Sequence, residues 1–202
     1  MPGHGKSDKF YTHAAYDLKF MVDDVVAVLN DLGIEQTHYW GYSMGGFIGF
    51  GLAKYYSHRV HSLILGGASP YHDPTQPNPF LSIMQRGVEE GAEAMIEGYR
   101  TLFGGTIHPT SAARLRSVDP RAMVAFFEFS PDEKGLEDVL PTMTMPCLLY
   151  VGDQDDPDHV LNYAKQMPNV ATLVLPGLNH GQTSAAVDLI VPRALEFLTT
   201  GK

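Results

Sequence analysis

The sequence predicts an α/β fold, a parallel sheet flanked by helices and interrupted by a helical insertion. Short apolar runs alternate with helix-period segments at both ends of the chain, and the stretch 71–145 shows no clear strand. Between a strand pattern and a helix pattern stands Gly41-Tyr42-Ser43-Met44-Gly45. Strand–helix alternation with short connections favours parallel pairing, with ligands expected at the carboxyl ends of the strands.

The chain opens on a turn-rich loop without a strand, Pro2-Gly3-His4-Gly5-Lys6-Ser7-Asp8. Leu18, Met21, Val22, Val25, Val26, Leu29 and Leu32 then recur at short steps, mostly of three or four residues, and Gly33 is placed to stop the resulting amphipathic helix. Thr37-His38-Tyr39-Trp40 is the next strand, followed by a helix over residues 44–56. Gly45, Gly46, Gly49 and Gly51 in that helix each cost roughly 1 kcal/mol of propensity in an exposed interior. Their presence therefore predicts that the helix lies close against a sheet. Residues 60–65 form the following strand, closed by Gly66-Gly67.

In the insertion, Asp73-Pro74-Thr75-Gln76-Pro77-Asn78-Pro79 excludes helix and central strand. Residues 80–85, 88–103, 111–118 and 120–129 read as short helices, several with apolar faces. A bare loop of this length is rare in a compact domain, so a small helical cap is expected. Alternation returns with a strand at 147–151 ending in Gly152, a helix near 158–166 and a strand at Val170–Leu175. The loop Pro176-Gly177-Leu178-Asn179-His180-Gly181 leads to a closing helix at 184–198, which Pro192 should kink or interrupt. The expected organisation is a core of 1–70 and 146–202 with a cap of 71–145.

The 202 residues suffice for one domain with a real core, and their composition is that of a globular protein. Fourteen basic against 23 acidic side chains give a net charge of −9, with no basic block, which argues against nucleic acid and anionic membrane as partners. No run approaches the roughly 18–20 apolar residues that span a bilayer, and residues 1–9 do not resemble a signal peptide. The single cysteine, Cys147, sits in an apolar run and fits a reducing, cytoplasmic setting.

A G-x-S-x-G segment between strand and helix is a nucleophile elbow, a turn so tight that glycines must flank it and the serine hydroxyl stands above the sheet. Ser43 is thus the candidate nucleophile, and the helix after it points free N–H groups at negative charge formed there. A serine needs a base, and the base an acid. His180 follows the last strand in a glycine-flanked loop, while Asp153, Asp155 and Asp156 all follow the strand before it. Spacing alone does not separate Asp153 from Asp155. His159 is a competitor that reads more simply as a helix-start or solvent residue; His58, His61 and His72 flank the strand after the elbow helix without a partner acid, and His4, His13 and His38 read as ordinary turn, helix-start and strand residues. No metal or cofactor site is expected. The acidic run at 153–158 lacks the glycine and terminal glutamate of a calcium loop, and the elbow lacks a dinucleotide fingerprint.

With these motifs placed, the chain resembles the α/β-hydrolase superfamily, in its small capped esterase, lactonase and meta-cleavage-product hydrolase branch. The resemblance runs over nearly all 202 residues. It implies Ser43 as nucleophile, the Met44 N–H as an oxyanion donor and His180 as base, and Gly152-Asp153-Gln154-Asp155 resembles the family segment that places the acid on Asp155. The expected reaction is hydrolysis of a small carboxylic ester through an acyl-enzyme; lactonase, thioesterase and carbon–carbon hydrolase chemistries use the same triad. Tyr42 and Tyr71, with Phe80, Met84, Phe103 and Phe127 of the insertion, are the expected substrate-binding residues, and Leu81, Ile83, Phe126 and Phe129 extend the apolar set. Pro2-Gly3-His4-Gly5-Lys6-Ser7-Asp8 resembles the family loop that follows the fourth strand, so the chain resembles a hydrolase without the first half of its sheet. Two expectations follow. Strand 37–40 becomes a sheet edge that a homodimer partner would cover, and one oxyanion donor is missing, leaving a noncatalytic or crippled hydrolase as the alternative reading.

Overall fold

A computed structural model describes residues 1–71, 76–105, 107, 109–128 and 135–201. The chain divides into two compact units, one of Val25–His72 and Lys134–Lys202, the other of Met1–Asp24 and Asp73–Glu133.

The first unit holds a four-stranded sheet in the order β1-β2-β3-β4: β1 is Thr37–Tyr42, β2 Val60–Gly66, β3 Cys147–Gly152 and β4 Val170–Leu175. All neighbours pair in parallel. Every residue of β3 is buried, as expected of a parallel strand covered on both faces. On one face Ile64, Leu148, Tyr150 and Leu175 form a core cluster with Ile190, Ala194 and Phe197 of helix α9 (Val187–Thr200). Helix α2 (Met44–Tyr56) packs on β1 and β2, and α7 (Pro157–Ala164) on β3 and β4. The glycines of α2 have the reason the sequence predicts. A Cβ on Gly49 would lie 2.3 Å from Leu65 Cδ2 and 3.1 Å from Tyr39 Cε1, so the helix is too close to the sheet for a side chain. Strand β1 is terminal and pairs only with β2 among the described strands, with Trp40 45% exposed, so the expected sheet edge is present.

The closing helix differs from its expectation. The break falls at Ala186 (φ −79°, ψ 47°), between α8 (His180–Ala185) and α9, and α9 continues through Pro192. Pro192 and Asp188 are both exposed, so water can take the Asp188 carbonyl that proline leaves without an N–H, while Ile190, Ala194 and Phe197 hold the helix down.

The second unit is helical, and no strand occurs among its described residues. Its helices are α3 (Pro79–Glu90), α4 (Ala92–Leu102), α5 (Pro109–Arg116) and α6 (Pro120–Phe127). Asn78 caps α3 by accepting from the N–H groups of Phe80 and Leu81, and Asp119 caps α6 by accepting from Arg121 N–H; a proline takes the first position of both helices. The sequence places a break before Val88, whereas α3 runs on to Gly91, whose φ of 94° separates it from α4. Gly87 sits inside α3 because Met95 packs onto it, 2.4 Å from where a Cβ would stand.

Residues 1–24 group with this unit rather than with the sheet, a different partition from the 1–70 core that the sequence pattern proposes. Their contacts explain it. Tyr16 is 2% exposed, stands edge-on to Phe126 at 5.7 Å and donates its hydroxyl proton to the Phe10 carbonyl at 2.9 Å. Tyr11 donates to Asp119, and His13 Nδ1 lies 3.3 Å from the Ala125 carbonyl. Helix α1 (Leu18–Asp31) begins in this unit and ends in the sheet unit, burying Leu18, Met21, Val22, Val26 and Leu29 before Gly33 (φ 66°) stops it.

Candidate active site

The site lies at the carboxyl ends of β1, β3 and β4, within the sheet unit. β1 ends at Tyr42 and α2 starts at Met44, leaving Ser43 alone in the turn at φ 53°, ψ −115°. A non-glycine residue there carries about 1–3 kcal/mol of backbone strain, which the surroundings must hold. They do so through Ser43 N–H to the Gly66 carbonyl at 2.7 Å, Phe47 N–H to the Ser43 carbonyl at 3.0 Å, and the Tyr39 hydroxyl to the Gly45 carbonyl at 2.8 Å. Glycine is required at 41 because a Cβ would lie 2.2 Å from the Gly45 carbonyl oxygen. As the first residue of α2, Met44 has an N–H without an acceptor in its own helix.

His180 brings the other half of the site. Its Nε2 lies 3.0 Å from Ser43 Oγ, and its Nδ1 lies 2.6 Å from Asp155 Oδ2. The His180 and Asp155 side chains are 20% and 25% exposed. This is the geometry of a Ser-His-Asp catalytic triad. Asn179 caps α8 in a reciprocal box with Gln182, each side chain accepting from the other's backbone N–H at 3.0 Å. The cap fixes where His180 enters.

Strand ends gave three aspartates as candidates, and the structure gives each a separate job. Asp155 meets His180. Asp153 Oδ1 accepts the Gly177 N–H at 2.8 Å and so braces the loop that carries His180. Asp156, at φ 52°, caps α7 by accepting the His159 N–H. Two backbone bonds, Asp153 N–H to the Leu175 carbonyl and Gln154 N–H to the Leu178 carbonyl, tie the acid loop to the histidine loop.

Tyr42 has a role that the sequence pattern did not reveal. Its hydroxyl donates to the His180 carbonyl at 2.6 Å, and its ring lies 5.0 Å from the imidazole and 5.8 Å from Tyr150. Burial, reinforced by the Asp155 carboxylate, pushes its pKa well above the ordinary tyrosine value, so the hydroxyl remains a donor. Tyr71 stands edge-on to His159, and its hydroxyl accepts from Gln166 Nε2 at 2.7 Å. Phe80, Phe103 and Phe127 belong to an aromatic cluster of the helical unit, where Phe80 stacks on Phe127 at 5.5 Å and lies 6.2 Å from Phe103. Met84, 2% exposed, is a core residue of α3. Phe129 and His72 lie outside the described residues.

The remaining histidines fall elsewhere. His38 Nδ1 is 2.7 Å from Ser62 Oγ, and the His61 ring lies 5.3 Å from that of His38. His159 Nε2, expected to face solvent or cap a helix, is 2.8 Å from Ser69 Oγ. Burial pushes the Cys147 thiol up to about 12, so it is no competing nucleophile. Among the described residues no group of three or more His, Cys, Asp or Glu side chains is arranged to hold a metal ion.

Comparison with known proteins supports the same reading of the fold. The chain is 25% identical over 210 residues to a 3-hydroxybutyrate-oligomer hydrolase of Cupriavidus necator, covering 90% of this chain and 71% of that protein. Across curated relatives, the match spans from 25% to 78% of their length. The esterase RhEst1 from Rhodococcus sp. ECU1013 superposes with a TM-score of 0.81 at 20% identity, over 99% of this chain and 78% of that one. The enol-lactonase from Burkholderia xenovorans LB400 gives 0.78 at 20% identity, over 98% and 78%. A family model described as the alpha/beta hydrolase fold matches residues 1–104, which is half of the sequence and includes the elbow. On that match, and on a parallel sheet that ends in a strained serine turn, the chain belongs to the α/β-hydrolase family.

Proposed function

We propose that the protein is a serine hydrolase of small carboxylic esters. The observation that carries this reading is the unbroken relay from Ser43 Oγ through His180 to Asp155, at 3.0 and 2.6 Å. In the proposed reaction Ser43 Oγ attacks the ester carbonyl while His180 Nε2 takes its proton. The carbonyl oxygen becomes an oxyanion, and the Met44 N–H at the start of α2 is the donor assigned to it. Collapse breaks the bond to the leaving alcohol, which accepts the proton from His180 and departs, leaving the acyl group on Ser43. Water then attacks the acyl carbonyl, giving its proton to His180, and the acid is released as Ser43 recovers that proton. Asp155 holds the imidazole tautomer with Nδ1 protonated and offsets its positive charge. The names of similar proteins agree in bond type: a hydrolase of 3-hydroxybutyrate oligomers, an esterase and an enol-lactonase.

The same proposal includes a second copy of the chain on the β1 edge, supported by the terminal position of β1 and the exposed Trp40. A monomer by light scattering would remove that part. A cytoplasmic setting is supported by the free, buried Cys147.

A fluorophosphonate probe with mass-spectrometric site mapping, run beside a p-nitrophenyl ester panel of increasing acyl length, tests the chemistry. Expected are labelling at Ser43, loss of labelling in His180→Ala, and ester turnover that vanishes in Ser43→Ala. A folded wild-type chain that neither labels nor turns over any ester of the panel refutes the proposal.

A further inference from the structure

A second serine–histidine pair stands beside the triad. Ser69 Oγ and His159 Nε2 are 2.8 Å apart, and both residues are half-buried. Each is tethered to a different side of the triad. Ser69 lies two residues past Gly67, where an added Cβ would stand 3.0 Å from His180 Cε1 and 2.7 Å from the Tyr42 ring. Two residues of chain reach at most about 7 Å, so Ser69 is held within one small acyl group's length of that point. His159 sits in the first turn of α7, four residues after Asp155. Strands β2 and β3, which deliver the two loops, are hydrogen-bonded neighbours with Gly66 opposite Tyr150.

Packing fixes the pair in place. The His159 ring lies edge-on to Tyr71 at 5.3 Å and to Tyr163 at 5.6 Å, and the Tyr163 hydroxyl donates to the Ala68 carbonyl at 2.8 Å. Ser69 Oγ already accepts the Tyr71 N–H at 3.0 Å. When His159 Nε2 also donates to it, both lone pairs of Ser69 are engaged and the hydroxyl proton is left for a ligand oxygen. The composition of the two segments that carry the pair bears on the charge of the ligand. Segments 60–71 and 147–164 contain no lysine or arginine, whereas Asp153, Asp155, Asp156 and Asp158 lie in the second of them. A carboxylate is disfavoured there, and a neutral carbonyl or ether oxygen is not.

We propose that Ser69, oriented by His159, is a specificity-determining residue that donates a hydrogen bond to a neutral oxygen carried by the substrate a few atoms from the scissile ester. The preferred substrates are esters with a second, uncharged oxygen function rather than plain alkyl esters or half-esters of diacids. This inference rests on the hydrolase reading above. Contact with substrate also distinguishes it from a purely structural clasp between the β2 loop and α7.

The test compares kcat/KM for p-nitrophenyl 5-oxohexanoate, p-nitrophenyl hexanoate and p-nitrophenyl hydrogen glutarate in wild type, Ser69→Ala and His159→Phe, the last keeping a ring against Tyr71 and Tyr163. Wild type should favour the oxo ester over both others. The ratio of oxo ester to hexanoate should fall about fivefold to tenfold in both variants, the size of one net hydrogen bond. Because the readout is a ratio, a uniform loss of activity through a loosened loop does not imitate it. Ser69→Thr, which keeps the hydroxyl, should restore the ratio if Ser69→Ala folds poorly. A ratio unchanged within about twofold in the variants, on that same hydrogen-bond scale, or a wild-type preference for the glutarate half-ester, overturns this inference and leaves the hydrolase reading intact. Absence of turnover of all three esters by folded wild type overturns both.

Discussion

Removing a single oxygen, in Tyr42→Phe, separates the two things that the elbow tyrosine does. The ring stays and can keep its places 5.0 Å from His180 and 5.8 Å from Tyr150, but the 2.6 Å bond to the His180 carbonyl is gone. A neutral bond of this kind contributes about 0.5–1.5 kcal/mol net, and a half-buried carbonyl that loses its donor costs about 1–3 kcal/mol. The damage falls on the residue whose ring must hold Ser43 Oγ and Asp155 Oδ2 at once, and whose carbonyl is joined to that ring only through Cα and Cβ. If about 1.4 kcal/mol of that loss appears in the transition state, kcat falls about tenfold. In the proposed mechanism the His180 carbonyl, occupied by the Tyr42 hydroxyl, makes no contact with the ester, so KM should move less than about twofold, the pattern of an interaction acting on the chemical step. Steady-state kinetics on the most reactive p-nitrophenyl ester, with urea unfolding of the same preparation, provide the readout. A variant that loses stability yet keeps wild-type kcat would refute the reasoning, making the tyrosine a brace for the fold and not for the imidazole.

The two aspartates that spacing could not separate should now differ sharply. Asp155→Ala removes the partner of His180 Nδ1 and should lower kcat about 10³–10⁴-fold; Asp153→Ala removes only the acceptor of Gly177 N–H and should cost less than about tenfold, with about 1 kcal/mol of stability. Comparable losses in both would contradict the assignment. Gly41→Ala forces a Cβ against the Gly45 backbone at 2.2 Å, and since a displacement of about 1 Å can cost about 100-fold, ester turnover should fall by at least that much while far-ultraviolet circular dichroism is retained. Alkaline unfolding follows from burial. Burial pushes Tyr39, Tyr99 and Cys147 each up to about 12, whereas in the unfolded chain such groups ionise near about 8.5–10. Their stability contribution is therefore complete below the unfolded values and is lost as pH rises toward about 12, with a slope of about 1.4 kcal/mol per pH unit for each group ionised only when unfolded. Urea titrations between pH 8 and 11 should show the decline, and Tyr39→Phe should flatten it.

How much of this was legible in the sequence depends on how local each determinant is. The elbow was legible because its constraint is local: glycine at 41, strand before and helix after Ser43 follow from a turn too tight for a Cβ. The α2 glycines were legible for a related reason, since propensity lost in a helix must be recovered by close approach to something. Helix ends were less so. Gly91 ends α3 three residues beyond Val88, because apolar periodicity says which face is buried and little about where a helix stops. The grouping of residues 1–24 with the helical unit was not legible at all. It rests on Tyr16 meeting Phe126 and Tyr11 meeting Asp119, contacts across more than a hundred residues that leave no spacing signal.

The acid of the triad shows why residue identity alone cannot complete such a site. Asp153, Asp155 and Asp156 follow β3 within four positions, and as carboxylates any of them could offset an imidazolium. What separates them is backbone geometry. Asp155 N–H bonds back to the Gly152 carbonyl at 3.1 Å, closing a turn whose side chain is the one that meets His180 Nδ1. Asp153, the second residue of that turn, is carried toward Gly177, on the far loop, while Asp156 adopts the left-handed conformation that starts α7. Each carboxylate is thereby consumed by a different backbone or ring donor. A single turn thus fixes the acid, braces the histidine loop and starts the helix that bears His159, so inserting or deleting one residue between Gly152 and Pro157 should abolish activity even if every aspartate is retained.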